Sequence, residues 1–308
     1  MKKKVRTGLA LGGGAARGFA HIGVFEVFEE EQIPVDVIAG TSIGSLMGGM
    51  YAAEPDAALL RKRILEFVNS SLFEKIKSDF LKHKENEGEE GLLDKVSSFI
   101  RKSIFYTISM TKRAFVSEDT MSKITEELIP DIRIEDTEIP FAATSVDIKS
   151  GEKYIFTQGS LRTAVEASCS LPGVIAPVPF EGRILVDGGW AEAVPVRTAF
   201  DIGADLVVCV NISPDITLDQ EPAHAIDILL RADRISRQFL AESSFAHADV
   251  VISPAVEDVD WADFDNPEDK ITKGREAAQD SVSAVRQLIA ERADTGFIEK
   301  IIRFIRGG

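Results

Sequence analysis

Ser42 lies in the pentapeptide Gly40-Thr41-Ser42-Ile43-Gly44, behind an apolar run at 35–39 and ahead of a small-residue helical pattern at 43–53. That is the strand–turn–helix order of a nucleophile elbow. Its glycines relieve crowding in a tight turn and leave a serine hydroxyl exposed for attack. GxSxG alone is a weak pattern, and a serine N-cap would use the same residues; the order of elements around it gives it weight. A second segment, Gly12-Gly13-Gly14-Ala15-Ala16-Arg17-Gly18, joins an apolar run at 5–11 to a helical pattern at 19–31. Glycines let the backbone approach a ligand and turn its N–H groups inward, and a helix start adds the positive end of its dipole. Such a loop suits a phosphate or an oxyanion. The nucleotide fingerprints fail: Arg17 stands where GxGxxG needs its third glycine, and no GK[ST] closes a phosphate loop. A third segment, Asp187-Gly188-Gly189, follows the apolar run 183–186 and puts a carboxylate at a strand's C-terminal end, where α/β sheets place functional groups. Alone, it reads equally as an Asx turn.

The three segments together supply what acyl transfer needs: a nucleophile, a base and oxyanion donors. The usual base is histidine. His21 falls inside the first helical pattern and His83 in a charged stretch, whereas His224 and His247 follow Asp187 and fit the order Ser…Asp…His. Neither sits in a motif. On the residues alone, the base is Asp187 or one of these two histidines.

The elements that must position these groups alternate strand and helix, which predicts a parallel sheet covered on both faces. Further strand signals fall at 141–146, 153–156, 183–186, 206–210 and 250–253, and helical ones at 160–168, 222–246 and 268–292. Residues 56–128 are mostly helical, broken by the charged stretch 83–91, and read as an insertion within one domain that spans 1–308. A last amphipathic segment covers 297–306. Of the 308 residues 44% are hydrophobic, enough for a core and too many for a disordered chain. With 35 basic and 50 acidic residues the net charge is -15, which argues against a general nucleic-acid binder and against strong adhesion to anionic lipid. Cys169 and Cys209 make no disulfide scaffold and suit a reducing compartment. No run approaches 18 uncharged residues. The basic head of the N-terminus imitates a signal peptide, but Arg17 and His21 cut its apolar run short, so we expect mature sequence and a cytoplasmic protein.

GGGAARGFAHIGV, GTSIG and DGG, in that order, resemble the patatin-like phospholipases, and AVEASCSLPGVIAPV resembles the segment that precedes the family's aspartate. The resemblance covers most of 5–290. It implies a three-layer α/β/α sandwich with a mostly parallel sheet and a Ser–Asp dyad without histidine. Ser42 becomes the nucleophile and Asp187 the base. The amides around Gly13, Gly14 and Ala15 become the oxyanion hole, supported by Gly40, Gly44 and Gly188. Arg17 matches the family's GGGxRG, where it would fix the loop or meet a lipid phosphate. The third glycine of that motif falls on Ala15, which resists positive φ. No metal or cofactor is implied, and no D-x-D-x-D-G loop is present. The expected activity is hydrolysis of phospholipid or lysophospholipid acyl esters. A Ser-His-Asp esterase and a non-catalytic protein that keeps the fold are the alternatives. Lipid contact would be peripheral, at the inner membrane surface. One candidate is 91–117, where Lys95, Arg101, Lys102, Lys112 and Arg113 face one acid, Asp94. The other is 297–306, where Phe297, Ile301, Phe304 and Ile305 share a helical face. For both segments packing of the apolar face on the protein's own core is the favoured expectation, and for 297–306 a partner subunit is a further alternative.

Overall fold

The computed structural model describes residues 4–81, 118–214 and 225–305. The basic stretch 91–117, His83 and His224 lie outside the described residues. The chain begins with β1 (Thr7–Leu11), a 3-10 turn at Ala15–Gly18, α1 (Phe19–Glu30), β2 (Val37–Thr41) and α2 (Ile43–Ala53). β2 starts two residues later than the apolar run suggests. Asp36 accepts the Thr7 N–H at 3.0 Å through its carboxylate and donates its own N–H to the Thr7 carbonyl, so residues 34–36 are the approach to the strand. Of the helical insertion, α3 (Ala57–Val68), α4 (Ser71–Leu81) and α5 (Glu118–Leu128) are described. Then come β3 (Phe141–Asp147), β4 (Lys153–Phe156), α6 (Leu161–Cys169), β5 (Val178–Phe180), β6 (Arg183–Asp187), α7 (Val196–Asp201), β7 (Leu206–Val210), α8 (Ala225–Phe245), β8 (Val250–Ile252) and α9 (Pro267–Ile305). The backbone of the expected 297–306 segment thus continues α9 rather than forming a separate helix. Gly296 alone costs about 1 kcal/mol in a helix and does not end it.

The eight strands form one mixed sheet. β3, β2, β1, β7 and β8 run parallel in that spatial order, and β4, β5 and β6 join antiparallel. Side-chain alternation along β1 divides the interior in two. Leu9 and Leu11 point into the large core with Phe25, Phe28 and Ile38. Ala10 points to the other face, where Val194, Val196 and Ala199 pack beneath α7. Helices therefore cover both faces, as the family resemblance implies. α9 is held across α1 and α3 by ion pairs: Glu26 bonds Arg61 and Arg275, each at 2.9 Å.

The register around β3 decides where the chemistry falls. β2 pairs with 141–144 of β3 and β4 with 143–146, so these two strands occupy opposite edges. β6 pairs with 145–147 and shares positions with β4, so it lies on the same edge as β2. The two strands meet there head to head: Thr41 ends β2 opposite Thr144, and Asp187 ends β6 opposite Ser145. Neither can advance, because the next place on β3 is taken. Both chains leave the sheet at once, one through Ser42 and the other through Gly188.

The turn out of β2 is tight enough to dictate its neighbours. A Cβ on Gly40 would lie 2.5 Å from the Gly44 carbonyl oxygen, and a Cβ on Gly44 would lie 2.2 Å from that of Leu11. Both contacts are with backbone that cannot swing aside. Gly44→Ala is therefore expected to cost about 3 kcal/mol or more in urea unfolding. Gly49→Ala, in the same helix and facing only side-chain carbons at 3.3–3.5 Å, should stay within about 1 kcal/mol of wild type, its helix propensity offsetting the crowding.

Candidate active site

Ser42 sits at φ 55° and ψ -128°, a region that costs a non-glycine residue about 1–3 kcal/mol and persists only when neighbours impose it. Here the neighbours are specific. The Ser42 carbonyl accepts the Ser45 N–H and the Ser45 hydroxyl, each at 2.7 Å, and its N–H donates to the Ser168 hydroxyl oxygen at 2.9 Å. The side chain is left at the strand junction beside Asp187, whose carboxyl it acts to lower.

Asp187 is 2% exposed. Its Oδ1 accepts the Gly189 N–H at 2.8 Å, and its own N–H donates to the Ser170 carbonyl at 2.9 Å. Burial pushes its carboxyl up to about 6, against the opposing hydrogen bonds from Ser42 and Gly189 and the positive Arg237. The junction is buttressed beside the dyad. Thr41 Oγ1 meets Thr144 Oγ1 at 2.7 Å and donates to the Glu192 carbonyl at 2.9 Å. Glu192 is itself buried, with Oε2 at 2.6 Å from Lys153 Nζ and 2.7 Å from Thr198 Oγ1. Gly188 turns away against Thr144, where a Cβ would lie 2.3 Å from Oγ1.

The glycine-rich loop lies against the serine: a Cβ on Gly13 would come 3.2 Å from that of Ser42. Its three candidate amides are not equivalent. That of Gly13 donates to the Ala193 carbonyl at 3.2 Å and is committed; those of Gly14 and Ala15 carry no such bond outside their own turn among the described residues. Ala15 takes φ 49°, so the loop holds an alanine where positive φ is required. Its cost, about 1–2 kcal/mol, must be met by the contacts around it. His21 is one of them. It is fully buried, with Nε2 at 2.9 Å from the Gly12 carbonyl, and burial lowers its pKa to about 4. A carbonyl only accepts, so Nε2 carries the proton, and the ring is neutral and structural. Arg17 is another. It is 7% exposed, donates to the Val259 carbonyl at 3.3 Å, and is lowered to about 10 chiefly by burial. That geometry fits the loop-fixing role of the two expected for it. His247 is exposed, with Nε2 3.2 Å from Arg197 Nη2 and Nδ1 3.0 Å from the Ser243 carbonyl, so both ring nitrogens are engaged away from Ser42.

On the other side of Ser42 opens an apolar cavity of about 210 Å³. Its wall includes Phe19, Leu46, Met47, Phe67, Phe73 and Trp261. Cys169 also lines it, as a buried thiol pushed up by desolvation. Among the described residues, no group of three His, Cys, Asp or Glu side chains is placed to hold a metal ion. The structure thus brings Ser42, Asp187 and the 12–18 loop together; His21 is bonded to the Gly12 carbonyl and His247 to Arg197 and the Ser243 carbonyl. The structure adds Thr41, Thr144, Ser168 and Glu192; of these, Thr41 and Ser168 fall inside segments that resemble the family's, and Thr144 and Glu192 fall in none.

The model of the patatin-like phospholipase family matches residues 9–200. A patatin-like phospholipase domain-containing protein of Caenorhabditis elegans is 34% identical over 207 residues, which cover 67% of this chain and 13% of that protein. The lysophospholipase of Mycosarcoma maydis is 32% identical over 205 residues, covering 67% and 10%. The crystal structure of VipD from Legionella pneumophila is 11% identical with a TM-score of 0.48, covering 92% of this chain and 67% of that one. The chain thus aligns with about a tenth of the length of these two curated relatives.

Whatever the chemistry, a carboxyl raised in the folded state binds its proton more tightly there than in the unfolded chain. Stability therefore falls as pH rises from about 4 to about 6 and stays lowered above that. Asp187→Asn keeps an acceptor for the Gly189 amide and removes the buried charge. It should exceed wild type at pH 7.5 by up to about 3 kcal/mol, a margin that shrinks at pH 4.5. Urea unfolding of both proteins at the two pH values measures it.

Proposed function

The chain belongs to the patatin-like phospholipase family, and from that premise we propose that it is a serine hydrolase of lipid acyl esters, working through Ser42 and Asp187 on phospholipids or lysophospholipids. The observation that carries this reading is the strand junction that sets Ser42 beside a buried Asp187, whose carboxyl burial raises to about 6, at the mouth of an apolar cavity. The cavity takes the acyl chain and leaves the ester carbon beside Ser42 Oγ. Asp187 accepts the Ser42 proton as Oγ attacks. The tetrahedral oxyanion is held by the Gly14 and Ala15 amides, each such donor being worth about 2.7–4 kcal/mol in related chemistry. Collapse expels the alcohol portion of the lipid, which takes the proton back from Asp187. A water then gives its proton to Asp187 and attacks the acyl-enzyme, which releases the fatty acid and restores the Ser42 hydroxyl. Protons and bonds balance without a cofactor.

A lone carboxylate with an ordinary pKa is a weak base. Desolvation strengthens it by bringing its pKa toward the working pH. Among the described residues no helix is long and apolar enough to cross a membrane. The reading places the enzyme at a cytoplasmic lipid surface, with peripheral and transient contact.

A fluorophosphonate should form an adduct on Ser42 that mass mapping finds in wild type and misses in Ser42→Ala. Asp187→Asn should lower kcat by about 10²–10⁴. The acid limb of kcat/KM should fall near pH 6, because the base works only when deprotonated. His247→Gln should leave rate and limb in place. An acid limb that moves with His247, or full activity in Asp187→Asn, would sink the dyad.

A further inference from the structure

Segment 259–264 touches both halves of the site. Its backbone holds the oxyanion loop: the Trp261 carbonyl accepts the Ala16 N–H at 2.9 Å, and the Val259 carbonyl accepts from Arg17 at 3.3 Å. Its side chains wall the apolar cavity, through Trp261, Ala262 and Phe264. The Phe264 ring stands edge-on to Phe19, which begins α1 directly after the loop, at 6.2 Å, and to Phe73 of α4 at 5.3 Å. Beyond it, Asp265 pairs with Lys77 Nζ at 2.7 Å and ties the segment to α4. One short stretch of chain therefore carries cavity contacts on its side chains and loop contacts on its carbonyls.

We propose that this segment couples filling of the acyl cavity to the geometry of the oxyanion loop, with Trp261 and Phe264 as specificity-determining residues that act on rate more than on affinity. The inference rests on the hydrolase reading above. Its physical basis is the strain at Ala15. A residue held at φ 49° returns to negative φ when its supports loosen, and that rotation turns the neighbouring amides away from the oxyanion. The support next to it, the Ala16–Trp261 hydrogen bond, hangs on a residue that is 37% exposed and faces an open cavity. A long acyl chain packs against Trp261 and Phe264, fixes them, and so fixes their carbonyls. A short one leaves that contact unmade. Binding energy from the remote chain is thus spent on positioning the donors, and it emerges in the chemical step.

The experiment uses alkyl fluorophosphonates with ethyl, hexyl and decyl chains, in which Ser42 Oγ bonds phosphorus as fluoride leaves; the adduct is tetrahedral with its phosphoryl oxygen at the oxyanion site, and no choice of head group is needed. Rates of inactivation are resolved into kinact and KI, and the adduct is mapped. In wild type, kinact should rise at least tenfold from ethyl to decyl, with a smaller change in KI. Trp261→Ala should reduce the decyl-to-ethyl ratio of kinact to within about threefold, and so should Phe264→Leu, which keeps an apolar side chain in the wall. Trp261→Phe should restore most of the ratio. Chain length expressed wholly in KI, or a tenfold ratio surviving in Trp261→Ala, overturns the coupling while leaving Ser42 as the nucleophile. No Ser42 adduct with any chain overturns the hydrolase reading, and the coupling with it.

Discussion

Two strands compete for one edge of β3, and the site exists because neither wins. β2 fills that edge to Thr144 and β6 fills it from Ser145 onward. At their meeting point the backbone can go nowhere within the sheet. The serine is driven into its strained turn by the same exclusion that stops the aspartate's strand, so Ser42 and Asp187 are brought together by hydrogen-bond register rather than by a flexible loop. This makes the spacing hard to perturb. Sliding either strand by one residue would move every side chain on it to the opposite face and break the core.

The arrangement accepts several local costs. Ser42 and Ala15 occupy unfavourable backbone regions, and Asp187 is deprived of water. Each is opposed by a bond that does nothing else: Ser168 for the elbow, His21 and Arg17 for the loop, Gly189 for the carboxylate. The buried polar pairs Thr41–Thr144 and Lys153–Glu192 then brace the junction from behind. Ser42 and Asp187 are held by one another's strands and by the sheet, not by the 259–264 segment. On the proposed reading the pair is therefore preorganised, which is where electrostatic catalysis gains most.

The parts of this site that can be read from sequence are those that sterics writes locally. Gly40 is a glycine because backbone of its own turn approaches it, and Gly44 because the end of the neighbouring β1 does, so the elbow shows as a pattern. The helix at 161–169 shows through its apolar spacing and its Ser160 cap, which accepts the Thr163 N–H. What stays hidden is whatever depends on register between distant strands. The run 183–187 reads as a strand but not as an antiparallel one, because nothing in its own residues names Ser145 as the partner of Asp187. α7, six residues long, carries too little periodicity to be seen. Ser168 and Glu192 carry no spacing at all, since a hydrogen bond to a distant backbone leaves no trace in the neighbours. The histidines mislead for a related reason. Order along the chain admits His247, and only the fold shows its ring bonded to Arg197 and to the Ser243 carbonyl.

In the proposed pairing of Ser42 with Asp187 the base is a carboxylate, and that has a consequence for how the site must be built. An imidazole titrates near neutrality in water and can work in a wet cleft. A carboxylate reaches that range only if it is dry, and a dry carboxylate draws any nearby cation that could neutralise it. Here Arg237 lowers the Asp187 carboxyl, but its guanidinium is bonded to Asp233 and lies 4.9 Å from the centre of the Trp190 ring. Trp190 is the third residue after Asp187, and its Nε1 also donates to Asp233 at 2.8 Å. The arginine's charge is thus directed to a second carboxylate and an aromatic face. Burial therefore remains the largest influence on Asp187. The bonds among Trp190, Asp233 and Arg237 keep it so: they let a positive charge stand close to Asp187 without forming an ion pair that would, on the proposed reading, leave it too weak to take a proton.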